Sequence, residues 1–186
     1  MHSCCCYTKG YITIGLFFLL LLGTTRQAHC QDNETIVKWV AGKLRVGNNY
    51  STPKINFVNK PQLSGLFAVG SKGLMTRWTA DQGRDDAERL MRLYLDSVAG
   101  LFDPKSQTIY VGKFLSSCRR EAILAHEATH FFQNLFRGPI SGGGMAGEMM
   151  LMQREMEASA IEVEYEDQFC TGNVLASNNL LNVFFP

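Results

Sequence analysis

No charged residue lies between Lys9 and Arg26, and within that gap Tyr11–Gly23 (YITIGLFFLLLLG) is apolar apart from Thr13. This run decides how much of the chain is available to a soluble fold. Its thirteen residues are short of the roughly 20 that a membrane-spanning helix needs, but they suit the apolar core of a secretory signal. Ala28 and Cys30 follow, which predicts cleavage before Gln31. The chain therefore divides into a leader, residues 1–30, and one secreted domain, residues 31–186. The alternative is an uncleaved anchor through residues 11–23, which would hold the protein on a membrane with Cys4, Cys5 and Cys6 open to acylation.

Setting the leader aside changes the inventory of reactive side chains. Of six cysteines only Cys118 and Cys170 remain, and an even pair in a secreted chain predicts a disulfide. The sequons Asn33-Glu-Thr35 and Asn49-Tyr-Ser51 make Asn33 and Asn49 candidate glycosylation sites, consistent with that compartment. Of four histidines only His126 and His130 remain. The full chain is 46% apolar with a net charge of +1, enough for a real core in one domain and too balanced for a nucleic-acid-binding stripe.

Apolar spacing predicts a helix over Thr35–Val46, a loop over Gly47–Pro53, and short strands at Ile55–Val58 and Leu66–Val69. A helix over Ala80–Ala99 stops at Phe102-Asp103-Pro104, and Gln107–Phe114 reads as a strand. Next comes a helix over Ser117–Phe136, with Ser116 or Ser117 as its cap and Gly138 as its stop. The glycine-rich Ser141–Gly144 leads into a long helix from Met145 to Phe169, and Thr171–Pro186 reads as an apolar strand or arm. The order predicts an α+β fold.

His126, Glu127 and His130 form H-E-x-x-H inside the Ser117–Phe136 helix. Positions four apart share a helix face, so both imidazoles can point at one metal ion. Glu127 is displaced by about 100° from His126, where a carboxylate can reach a metal-bound water without ligating the metal. Zinc lowers the pKa of such a water to about 7, and the carboxylate can take its proton as it attacks a carbonyl. Leu124, Ala128, Phe131 and Leu135 lie on a neighbouring arc that can pack into the core, with Thr129 and Gln133 toward the far side.

With no histidine left over, the third ligand has to be a carboxylate or a cysteine. Gln133 and Phe136 stand where a metzincin would have its glycine and third histidine, so that class is excluded. On the following helix, Met145, Met149, Met152, Met156, Ala160 and Val163 form an apolar stripe that predicts the core face. Glu148, Glu155, Glu162 and Glu166 border it, while Glu157 and Glu164 fall on the opposite, solvated side.

H126-E-A-T-H130, followed by a helix carrying R154-E-M-E-A158, resembles the gluzincin metallopeptidases. In that family the third ligand often opens an E-x-E-A-D or E-x-x-A-D pattern. The resemblance implies Glu155 as ligand, Glu157 as the second Glu and Ala158 as the Ala, with Ser159 where the family often has an Asp supporting a ligand histidine. It spans about Gln107–Phe169. Its implications are a zincin-like fold, one Zn2+ held by His126, His130 and Glu155, Glu127 as general base and acid, and a peptide or protein as substrate. Thr108–Gly112 would be the sheet edge that aligns it, and a Cys118–Cys170 bridge would hold the two metal-bearing helices together. An oxyanion stabiliser is expected but the sequence does not identify it; Tyr165 and Arg154 project from the ligand-bearing helix away from its apolar stripe. The alternative reading is a secreted zincin-like binding or effector protein without activity.

Overall fold

The computed structural model describes residues 31–70, 79–80, 83–140 and 144–170. The expected leader and the apolar segment Thr171–Pro186 lie outside the described residues. Within them, five helices pack around a three-stranded mixed sheet, in agreement with the α+β expectation.

Helix α1, Asn33–Lys43, is started by Asp32, whose carboxylate accepts from the Thr35 amide and hydroxyl. It buries Ile36, Val37, Val40 and Ala41. Strand β1, Lys54–Val58, leads into α2, Lys60–Gly70. The expected strand at Leu66–Val69 is therefore helical. The cause is local: Asn59 Oδ1 accepts from the Gln62 amide while Gln62 Oε1 accepts from the Asn59 amide, a reciprocal cap that satisfies two orphan donors. Pro61 sits in the first turn, where a missing amide costs nothing.

Helix α3, Arg84–Ser97, packs on α2, with Phe67 stacked on Tyr94. Strand β2, Gly100–Asp103, then turns directly into β3, Thr108–Gly112. Asp103 closes this turn by accepting from the Lys105 amide and the Ser106 hydroxyl. The strand order is β1-β3-β2, with β1 parallel and β2 antiparallel to β3. This corrects the reading of Thr108–Gly112 as an edge. Both of its sides are hydrogen-bonded to neighbours, and among the described residues it is β2, a strand the sequence reading took for a helix break, that has an unpaired edge.

Helix α4, Ser117–Arg137, lies across β2 and β3. Ser116 caps its start, accepting from the Arg119 amide, and Gly138 ends it at φ 72°, a backbone that glycine adopts without a Cβ clash. Ile109 and Val111 of β3 meet Leu124, Ala125, Ala128, Phe131 and Phe132 of α4 in the core, with Ile36, Val37 and Val40 on the same cluster. The neighbouring arc on α4 packs as expected except at Leu135, which is exposed.

Helix α5, Gly144–Phe169, packs along α4. It is rotated from the expected orientation. Met145, Met149, Met152, Met156 and Val163 are exposed, and the buried face is Gly147, Arg154, Ala158, Ile161 and Tyr165. Small residues at Gly147 and Ala158 fill less space between the helices than a methionine would. Trp39 of α1 then meets the rings of Tyr165 and Phe169 edge-on. Cys118 and Cys170 are disulfide-bonded, Cα atoms 5.8 Å apart, tying the start of α4 to the end of α5. No helix among the described residues is long and apolar enough to cross a membrane.

Candidate metal centre

On α4, His126 and His130 sit one turn apart with Nε2 atoms separated by 3.1 Å. From α5, Glu155 brings Oε2 within 3.6 Å of His126 Nε2 and Oε1 within 3.4 Å of His130 Nε2. Metal–ligand bonds of 2.0–2.1 Å in a tetrahedron put neighbouring donor atoms about 3.3 Å apart, so these spacings are those of a metal-sized site. His126, His130 and Glu155 could hold a metal ion.

The surroundings of the two rings fix which nitrogens are free. Gln133 donates from Nε2 to the Arg154 carbonyl and to Glu157 Oε2, which leaves its Oε1 to accept from His130 Nδ1 at 2.9 Å. Glu162 Oε2 stands 2.8 Å from His126 Nδ1, a close pairing, though not aligned as a full hydrogen bond. Both Nδ1 atoms therefore face acceptors, and both Nε2 atoms are turned toward Glu155 and each other. At 3.1 Å the two Nε2 atoms can share a proton between the rings or turn both lone pairs on one cation. The donor set fits a divalent ion.

The acid–base behaviour agrees. Burial opposes a charged His126, but the carboxylates of Glu155, Glu162 and Glu127 outweigh it and raise its pKa to about 10. His130 is raised too, burial again being outweighed, chiefly by Glu155. Glu155 is held below the usual carboxylate range because the two histidines overcome the cost of its burial. Without a metal, protons supply the positive charge that this cluster selects.

Glu127 is 7% exposed and lies against β2. Burial raises its pKa, with the neighbouring histidines acting in the opposite direction. A Cβ on Gly100 would fall 2.7 Å from Glu127 Oε1 and 2.6 Å from Ile123 Cγ2. Gly100 thus lets the Glu127 carboxylate lie directly against β2.

The remaining candidates separate. Glu157 pairs with Arg137 and Gln133 rather than the histidines, and burial of its carboxylate is outweighed by Arg137, which holds it in the charged form. Glu166 pairs with Arg119, and Glu164 with Lys43. Glu148 is exposed outside the cluster. Arg154 and Tyr165, expected to project away from the core face, are buried and bonded to the Gly138 carbonyl and to Glu121. Ser159 is exposed, and it is Glu162 that stands at His126 Nδ1.

Sequence reasoning missed Gln133, Gly100 and Arg119. Gln133, placed on the far side by the wheel, is 2% exposed between α4 and α5. Its spacing of three from His130 was the available signal. Asn33 stands in the first turn of α1 and Asn49 is exposed in the loop before β1. Comparison with protein-family models, curated proteins and solved structures gives no match for the chain.

Proposed function

We propose that this chain is a secreted zinc-dependent metallopeptidase of gluzincin type, with His126, His130 and Glu155 as ligands and Glu127 as general base and acid. The observation that carries the reading is the convergence of two imidazole Nε2 atoms and a Glu155 carboxylate beside a buried glutamate of raised pKa. A structural cluster has no use for that last element. A buried carboxyl whose pKa is raised by desolvation is more basic than an ordinary carboxylate, which suits a group that accepts and returns a proton.

A bound zinc ion would supply Lewis acidity and a water of lowered pKa. The chain's own residues do the rest. Glu127 takes the proton of the attacking water and passes it to the leaving nitrogen. Gln133 holds His130 with Nδ1 protonated, so that its Nε2 is the free donor. The β2 edge left unpaired among the described residues can pair with an extended peptide, and Gly100 sets that backbone next to Glu127. The edge role assigned to β3 by sequence passes to β2 in this reading.

The test is Glu127→Gln in the secreted product of the full chain. It should retain bound Zn2+ and lose hydrolysis of a mixed peptide library by at least a hundredfold, the scale of a general base. Equal hydrolysis by both proteins would remove Glu127 from the mechanism. A wild-type protein that binds Zn2+ and cleaves nothing would favour the inactive binding protein instead.

A further inference from the structure

Resting on the metal reading above, we infer that Glu162, held in place by Arg119, is the positioning residue for His126. Glu162 Oε2 stands 2.8 Å from His126 Nδ1, on the ring edge opposite the Nε2 that faces Glu155. The other carboxylate oxygen, Oε1, is 2.5 Å from Arg119 Nη1. The same guanidinium nitrogen lies 2.6 Å from Glu166 Oε1. An unbroken series of charged groups thus runs from Glu166 through Arg119 and Glu162 to the ligand ring.

The arrangement has the physical marks of a preorganised support. The side chains of Glu162 and Arg119 are 14% and 26% exposed, so the pair is far from the solvated ion pairs that contribute little. Arg119 is next in sequence to Cys118, and Glu166 is four residues before Cys170, so the disulfide secures the ends of the two helices that carry the pair. A carboxylate behind a ligand imidazole fixes the ring and its tautomer and strengthens the Nε2 donor. The second ring is treated differently. His130 is backed by the neutral Gln133, so the two histidines are not equivalent donors.

The position also departs from the pattern of the resembled family. The support expected at residue 159, four after Glu155, is an exposed serine here, and the carboxylate comes from residue 162, almost two turns beyond the ligand. On α5 positions 155 and 162 differ by seven, close to two full turns, so both carboxylates project from one face and bracket His126.

The experiment measures Zn2+ affinity by chelator competition and records the Co2+ visible spectrum, for wild type, Glu162→Ala, Glu162→Gln, Glu166→Gln and Glu155→Ala. Apo-state unfolding is followed alongside. Glu162→Ala should weaken Zn2+ binding by tenfold to a hundredfold and shift the Co2+ bands, while Glu162→Gln, which keeps an acceptor of equal size, should lose less. Glu166→Gln leaves Glu162 on Arg119 and should keep the affinity within about threefold. If Glu162→Ala does not fold, Glu162→Gln carries the comparison. Its affinity should then fall below that of Glu166→Gln, and equal values would overturn the assignment. Metal bound by wild type, lost in Glu155→Ala and untouched in both Glu162 variants overturns the positioning role alone. No Zn2+ binding by wild type, or full binding by Glu155→Ala, overturns the metal reading and this inference with it.

Discussion

Replacing Gly100 with alanine tests the junction of the sheet and α4 with a single methyl group. That methyl would sit 2.6 Å from Ile123 Cγ2, 2.7 Å from Glu127 Oε1 and 2.8 Å from Glu127 Cγ. Each contact is about 0.6–0.8 Å inside the 3.4 Å at which ordinary contact begins, so either β2 or the Glu127 side chain has to move. Overpacking of this kind costs about 1–3 kcal/mol, of which about 0.4–1 is returned by the lower chain entropy of alanine in the unfolded state. A net loss of about 1–2 kcal/mol in chemical denaturation follows. The displacement falls on Glu127, the proposed base, and misplacement by about 1 Å can cost a hundredfold in rate. Gly100→Ala should therefore retain Zn2+, since it touches no ligand, and lose most of its peptide hydrolysis. Gly65→Ala is the control. It lies inside α2 with nothing within 4 Å of the new methyl, and should stabilise by up to about 1 kcal/mol. Wild-type stability and hydrolysis in Gly100→Ala would refute the packing of Glu127 on β2.

Further outcomes follow from the same structure. Because the neighbouring carboxylates push His126 up to about 10 without metal, it binds a proton at pH 7 that a metal must displace, and His130 is raised in the same direction. Zn2+ affinity should then rise between pH 6 and 8, with at least one proton released in calorimetry across buffers of different ionisation enthalpy; a pH-independent affinity would contradict the cluster's electrostatics. Breaking the Cys118–Cys170 disulfide, which spans 52 residues, should cost roughly 4 kcal/mol on the chain-entropy model, read as a lower denaturation midpoint in the double serine variant. On α5, Met149→Gln should change stability by less than about 0.5 kcal/mol because Met149 is 62% exposed. Ile161→Ala, at an 8% exposed core position, should cost about 2–4 kcal/mol, and the reverse ranking would restore the methionine stripe as the packed face.

What could be read from sequence was whatever local chemistry alone determines. The two histidines declare a helix face through a spacing of four, and Ser116 and Gly138 mark the ends of α4 by capping and by positive φ. Glu155 came from the motif resemblance and stands with the histidines in the structure. The wheel for α5 failed because it ranked faces by apolarity. Burial there is decided by close approach to α4, which selects Gly147 and Ala158, and by Arg154 and Tyr165, whose polar atoms find partners at Gly138 and Glu121. None of those partners is visible from periodicity. Strand β2 was hidden for another reason: Gly-Leu-Phe-Asp is too short to show alternation, and its pairing with β3 is a tertiary fact. The helix over Lys60–Gly70 was legible in principle, in the N-x-x-Q cap of Asn59 and Gln62.

The central claim is that His126, His130 and Glu155 form a metal site, and metal content tests it most directly. The purified protein should carry one Zn2+ per chain by mass spectrometry of the intact native protein, Glu155→Ala should carry little or none, and Glu157→Ala should keep its metal while losing the Arg137 pairing. Retention by Glu155→Ala with loss in Glu157→Ala, or no metal in any of the three, would contradict it.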